Sequence, residues 1–255
     1  MHYFTITAGR TGTAWLASFF SENLKIDAVH EHLGINDLGE KMPDIRTLRN
    51  FNNFGNNDYV QNFWNKKFEG IPEDIYVETN HTLSKCGLVE NIILKKRAEK
   101  VTLIILKRDI VKQCNSYFMR NDFGNILSAW SWYLHPSYKK KIINPDPFMN
   151  FGNLSLPLWY CYEMSARQEY YFQKYSNKIN MVEIKLEEVI SESGARKFYS
   201  KLGLNDELII PPPKNVNKSK PNTQVIDLIK DITQKINFDT KKIVKDAIES
   251  GFTFN

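Results

Sequence analysis

Arg10 lies in the run Ala8, Gly9, Arg10, Thr11, Gly12, Thr13, Ala14, a cation set among two glycines and two hydroxyl residues. Glycine lets a backbone turn tightly, and a guanidinium with hydroxyls suits a phosphate or sulfate better than a neutral ligand. A second cation, Arg108, precedes a second hydroxyl, Ser116, by eight residues. One cation and one hydroxyl can hold one further phosphate.

The elements that must position these groups are legible around them. Tyr3 to Thr7 combine β-branched and aromatic residues, while Trp15, Leu16, Phe19 and Phe20 recur at helical spacing. A strand therefore runs into the loop, and a helix begins near Gly12. Its first N–H groups would face the same anion. Val101 to Leu106 is a continuous apolar run, which reads as a buried parallel strand. Arg108 then stands at that strand's carboxyl end and Ser116 two turns into the next helix, where open α/β sheets hold ligands. The loop is not a nucleotide triphosphatase loop, because no lysine follows Gly12, and two glycines do not make the dinucleotide fingerprint.

Alternation of apolar strands and amphipathic helices predicts an α/β fold with a central parallel sheet flanked by helices. Strands are expected near 3–8, 26–29, 74–78, 101–106 and 179–184. Helices are expected near 12–23, 86–98, 109–120, 124–134, 156–176, 192–202, 222–236 and 239–250. The 255 residues, 42% of them hydrophobic, fit a single domain spanning 1–255. Residues 34–70 read as a partly helical insertion on the substrate side, 139–156 as a second specificity segment, and 222–250 as two C-terminal helices. A net charge of +5 suits an anionic ligand but is too mild to imply nucleic acid. Cys86, Cys114 and Cys161 have neither disulfide-framework nor metal-site spacing. No leader or apolar run of membrane-spanning length is present, so a cytoplasmic protein is expected. The aromatic groups around Trp130, Trp132, Tyr133, Trp159 and Tyr162 fit a core, and some can line an acceptor pocket.

The chain resembles the sulfotransferases that use 3′-phosphoadenosine 5′-phosphosulfate (PAPS), in two motifs. The run Ala8 to Trp15 looks like that family's 5′-phosphosulfate loop. Arg108 and Ser116 have the spacing of its 3′-phosphate pair. The resemblance covers residues 3 to 204 by organisation, with motif-level similarity over some thirty residues. It implies a three-layer fold like that of the P-loop NTPases, PAPS as donor, the bisphosphate PAP as product, and no required metal. Arg10, Thr11, Gly12, Thr13 and Ala14 would hold the 5′-phosphosulfate, and Trp15 is a candidate adenine platform by analogy. A basic loop late in that family closes on the 3′-phosphate. Lys218 and Lys220, in a proline-rich stretch, are its counterparts here, and a plain linker is the other reading.

The acceptor, a small molecule, carbohydrate or peptide with a hydroxyl or amine, needs a base. Glu31 follows Arg10 by 21 residues, about as a catalytic glutamate does in the tyrosylprotein and heparan members. His81 is the rival, placed after its strand as the cytosolic members' histidine is, with His30 and His32 as neighbours. The other readings are a kinase-like phosphotransferase with a degenerate loop and a non-catalytic protein that binds nucleotides or sulfated ligands.

Overall fold

The computed structural model describes residues 1–34, 36–125, 132–204, 207–214 and 222–255. At its centre lie strands β1 (His2–Ile6), β2 (Tyr76–Glu78), β3 (Val101–Lys107) and β4 (Asn180–Lys185), all parallel, in the spatial order β2-β1-β3-β4. The helices are α1 (Thr13–Leu24), α2 (Ile45–Phe54), α3 (Asp58–Glu69), α4 (Leu88–Leu94), α5 (Ile110–Met119), α6 (Ser155–Tyr175), α7 (Leu186–Val189), α8 (Glu192–Lys201), α9 (Thr223–Ile236) and α10 (Thr240–Glu249).

The strands' period of two builds the layers. Phe4, Ile6, Leu103 and Ile105 enter one core, with residues of α4, α5 and α6. Tyr3, Ile104, Leu106, Val182 and Ile184 enter the other, with Leu16, Phe19 and Phe20 of α1 and Phe198 of α8. The sheet is thus covered on both faces, as its apolar strands require. Helix α9 packs on α5, and α10 packs on α6. Among the described residues no helix is long and apolar enough to cross a membrane.

Because β1 lies between β2 and β3, the chain leaves β1 in one direction and later crosses to its other side. Ligands of open α/β sheets collect where that reversal occurs, beyond the carboxyl ends of the two strands. Gln168 of α6 clamps this point, donating from Nε2 to the carbonyls of Ile6 and Leu106 at 2.9 Å each.

The insertion is helical and belongs to the core rather than riding over it. Asp44 caps α2 by accepting from Thr47 N–H, and Asn57 caps α3 by accepting from Val60 N–H, each cap contributing about 1 kcal/mol. Phe51, Val60, Trp64 and Phe68 are buried in the first core. Lys67 of α3 reaches Glu78 of β2 at 2.7 Å, with both side chains at most 2% exposed. Tyr76 and Asn80 donate to the same carboxylate, so its lone pairs are satisfied and the pair ties the insertion to the sheet edge.

Two elements differ from the sequence expectation. Residues 26–29 form no strand, because Ala28 N–H donates to Ser21 Oγ and only Val29 pairs, through a single bridge to Glu78. The helix expected over 86–98 is confined to Leu88–Leu94. A 3₁₀ turn over Leu83–Lys85 precedes it, Gly87, at φ 87°, is its N-cap, and Lys96, at φ 53°, breaks the helix path. Most of the helix expected at 124–134, Trp130 included, lies outside the described residues.

Glu90 of α4 is 3% exposed and its Oε1 has no hydrogen-bond partner. Burial pushes its carboxyl up to about 7. A carboxyl raised in the folded state contributes stability that is present below the ordinary carboxylate range and is lost as pH rises through about 7. A shift of this size corresponds to about 3 kcal/mol. Glu90→Gln is expected to flatten the fall in Tm between pH 5 and 8 and to raise Tm at pH 8. An equal loss of Tm at both pH values contradicts this account.

Candidate functional site

The turn after β1 is shaped by left-handed backbone at Gly9 (φ 84°), Arg10 (φ 54°) and Gly12 (φ 90°). Only glycine takes such a conformation without strain, and at Gly12 a Cβ would also lie 2.5 Å from Leu186 Cδ1. The carbonyls of this turn point inward. Tyr117 Oη shares its one proton between Ala8 O at 2.6 Å and Gly9 O at 2.9 Å, Tyr160 Oη donates to Ala8 O at 2.7 Å, and Gln113 Nε2 to Gly9 O at 2.9 Å. Burial raises both phenols well above their ordinary range, so they remain protonated donors. Arg108 Nη1 holds the third carbonyl, Arg10 O, at 2.6 Å.

Helix α1 begins directly after this turn, with Gly12 as N-cap and no side-chain cap. Leu16 N–H is the first to reach an intrahelical carbonyl, that of Gly12 at 3.0 Å. The N–H groups of Thr13, Ala14 and Trp15 therefore have no intrahelical partner, and a helix dipole favours negative charge at such an end.

Arg10 turns its side chain back along the crevice and donates from Nε to Ser116 Oγ at 3.1 Å. The two motifs, 98 residues apart in sequence at Arg10 and Arg108, are thus in direct contact. Arg108 Nε is buried without a hydrogen-bond partner, and Glu187 Oε1 lies 3.9 Å from it. A cavity of about 490 Å³ opens beside these groups, lined by Thr11, Arg108, Gln113, Gln168, Lys185 and Glu187 among others. That volume lies in the range of nucleotide and drug-sized ligands. An unpaired buried guanidinium N–H and two adjacent cations would suit a ligand with more than one phosphate-like group. Lys107 and Lys112 add positive charge at the rim, where Lys107 pairs with Glu183 and Lys112 lies 4.0 Å from Glu187.

The two candidate bases converge. His81 packs against the turn, so that a Cβ on Gly9 would lie 3.1 Å from its Cγ. Its Nε2 lies 3.5 Å from Glu31 Oε1, with the side chains 12% and 16% exposed. Burial, opposed by the positive charges of His30 and Lys85, raises the Glu31 carboxyl above its ordinary range. Burial, with Lys85, His30 and Arg10, depresses His81 well below the usual imidazole range, which leaves a neutral ring. His30 and His32 turn elsewhere: His30 Nδ1 lies 3.0 Å from Thr79 O, and His32 Nε2 lies 3.4 Å from Tyr76 Oη.

Of two side chains expected to face a ligand, one is turned into the core and the other lines the cavity with its hydroxyl engaged inside the fold. Trp15 is 3% exposed, stacks on Phe19 in the second core and donates from Nε1 to Pro211 O at 3.0 Å. It is part of the packing under α1 and offers no base platform. Thr11 is 1% exposed and its Oγ1 lies 2.5 Å from Thr7 Oγ1, which in turn donates to Leu106 O. Its hydroxyl is used inside the fold. Lys218 and Lys220 lie outside the described residues.

Sequence reasoning missed Gln113, Tyr117, Tyr160 and Lys85. Gln113 and Tyr117 share a helix face with Ser116 by their i, i+3 and i+4 spacing, and that signal was available. Tyr160 and Lys85 meet the site only through tertiary packing, with Lys85 Nζ 2.9 Å from Tyr160 Oη. The site's geometry stands alone, because no family model, no curated protein and no solved structure matches this chain.

Proposed function

We propose that this chain is a PAPS-dependent sulfotransferase that acts on a hydroxyl or amine acceptor. One observation carries the reading. Two arginines from segments 98 residues apart meet at the reversal point of the sheet, Arg108 on the carbonyl of Arg10 and Arg10 on the hydroxyl of Ser116. A donor with a phosphosulfate at one end of its ribose and a phosphate at the other matches paired cations better than a singly charged ligand does. The lack of a lysine after Gly12 speaks against a kinase-like use of the same crevice.

When bound, PAPS supplies a sulfuryl group on a mixed anhydride with its 5′-phosphate. The amides at the start of α1 and the Arg10 guanidinium would hold that end. Arginine keeps its proton under all ordinary conditions, so Arg10 acts by charge and hydrogen bonding alone. Arg108, with a free N–H, and Ser116 would hold the 3′-phosphate. Glu31, ionised and partly desolvated, takes the proton of the acceptor. Desolvation makes it a stronger base than an exposed carboxylate, at the cost of a higher pH threshold for ionisation.

Two variants test these roles. Arg108→Ala is expected to weaken 3′,5′-bisphosphoadenosine by about 10–100-fold in titration calorimetry, the value of a charge-assisted contact. Adenosine 5′-phosphosulfate, without a 3′-phosphate, should lose no more than about fivefold, through the lost brace on Arg10 O. Equal losses rule out the role given to Arg108. Glu31→Gln should leave bisphosphate affinity intact and lower turnover by about 100–10,000-fold. Undiminished turnover removes Glu31 from the mechanism.

A further inference from the structure

Lys85 ends the 3₁₀ turn Leu83–Lys85 and is fully buried, yet none of the motifs requires it. Its Nζ donates to Tyr160 Oη at 2.9 Å and to the carbonyl of Trp132, and lies 3.0 Å from His81 Nδ1. The rings of Tyr133 and Tyr160 stand 5.6 and 5.4 Å away. An ammonium has three N–H donors and no acceptor. Two are taken by these oxygens, and the third lies on His81 Nδ1, which must then carry a lone pair. The imidazole proton is left on Nε2, the atom that faces Glu31 Oε1 at 3.5 Å.

We propose that Lys85 is a positioning residue: it fixes His81 as the Nε2–H tautomer, so that the imidazole proton faces Glu31 and Glu31 alone is left to accept the acceptor's proton. The tautomer follows from hydrogen-bond geometry. Its consequence for turnover rests on the transfer reading above. The arrangement is the logic of a carboxylate that orients a histidine, run in reverse, with the buried cation at the far end and the carboxylate at the working end. Exposure follows that order, from 0% at Lys85 through 12% at His81 to 16% at Glu31.

The charged and titratable groups around the chain come from every element packed on it. Arg10 faces it from the turn, His30 from the segment after α1, Glu78 from β2, Cys86 from its own segment, Arg167 from α6, and Tyr117, Tyr133 and Tyr160 from the aromatic wall. Burial lowers Lys85 to about 7, so its charge fades as pH rises through that value. While present, that charge opposes the effect of burial on Glu31. Removing it therefore raises the pH at which Glu31 ionises.

The test reads the tautomer directly. In ¹⁵N-labelled wild-type protein at pH 6, with the His81 signals assigned by difference against His81→Asn, Nε2 is expected to be protonated and Nδ1 unprotonated. Lys85→Gln keeps a neutral N–H donor and should keep the tautomer, whereas Lys85→Met should give a mixture. Both variants should move the acid limb of the turnover profile up by about one pH unit. Bisphosphate affinity should stay within about twofold, since neither variant touches an arginine. A proton on Nδ1 in the wild type, or an unmoved acid limb in Lys85→Gln, overturns the proposal. If Lys85→Met fails to fold, the wild-type spectrum and Lys85→Gln decide. The wild-type tautomer as expected, with no turnover on any acceptor, leaves the positioning assignment standing and sinks the transfer reading instead.

Discussion

Three successive carbonyls, those of Ala8, Gly9 and Arg10, point into the protein, and Tyr117, Tyr160, Gln113 and Arg108 hold them there. A buried carbonyl without a donor costs about 1–3 kcal/mol, so these four side chains together stabilise the turn. A planar peptide that turns its carbonyl inward turns the following N–H outward. The same constraint underlies the proposed anion site: N–H groups turned away from the core, with the cations Arg10 and Arg108 beside them. Helices α5 and α6 are positioned by this requirement as much as by their apolar faces. Gln113 and Tyr117 come from one and Tyr160 and Gln168 from the other.

The turn also connects the two ends of the proposed reaction. Tyr160 donates to Ala8 O and accepts from Lys85, and Lys85 reaches His81, which reaches Glu31. Hydrogen bonds link the loop to His81, whose Nε2 lies 3.5 Å from the candidate base. Chains of this kind polarise one another in a low-dielectric interior, and they fix geometry at both ends together. Lys85 is fully buried, and the phenol, the carbonyl and the imidazole around it replace bulk solvation. The insertion contributes from outside. The Lys67 and Glu78 pair fixes α3 to β2, Trp64 donates to Cys86 O, and Asn52 donates to Lys85 O, so the segment carrying Lys85 is braced on both sides.

Much of this was legible in residue patterns. The apolar runs at β1 and β3 and the helical spacing of α1, α5, α6, α9 and α10 were found within a residue or two, because burial on both faces of the sheet leaves a strong periodic trace. The order of Arg10 before Arg108, each after an apolar strand, was enough to bring them to one crevice once the sheet was parallel. The misses have physical causes. Residues 26–29 have strand-like types, but the Ser21 hydroxyl takes the Ala28 N–H that a ladder would need. Trp15 has the type of a base platform, but its helical phase points it at Phe19 and the second core. Thr11 lines the cavity as expected of a residue in this loop, but Thr7, four residues earlier, engages its hydroxyl. Glu31 and His81 were weighed as rivals because their sequence positions say nothing of each other. The partnership exists only because β2 and the segment after α1 end side by side, at the bridge between Val29 and Glu78. Lys85 had no signal, since a lone lysine in a polar turn reads as solvated.

The central claim is that two anion pockets, built from distant segments, are one site for a doubly phosphorylated adenosine. Calorimetric titration of the wild-type protein with adenosine 5′-monophosphate, adenosine 3′-monophosphate and 3′,5′-bisphosphoadenosine measures that claim directly. If both pockets engage one ligand, the bisphosphate binds more tightly than either monophosphate by about 10-fold or more, since each charge-assisted contact adds about 1.5–3 kcal/mol. A bisphosphate that binds no better than adenosine 5′-monophosphate contradicts the account.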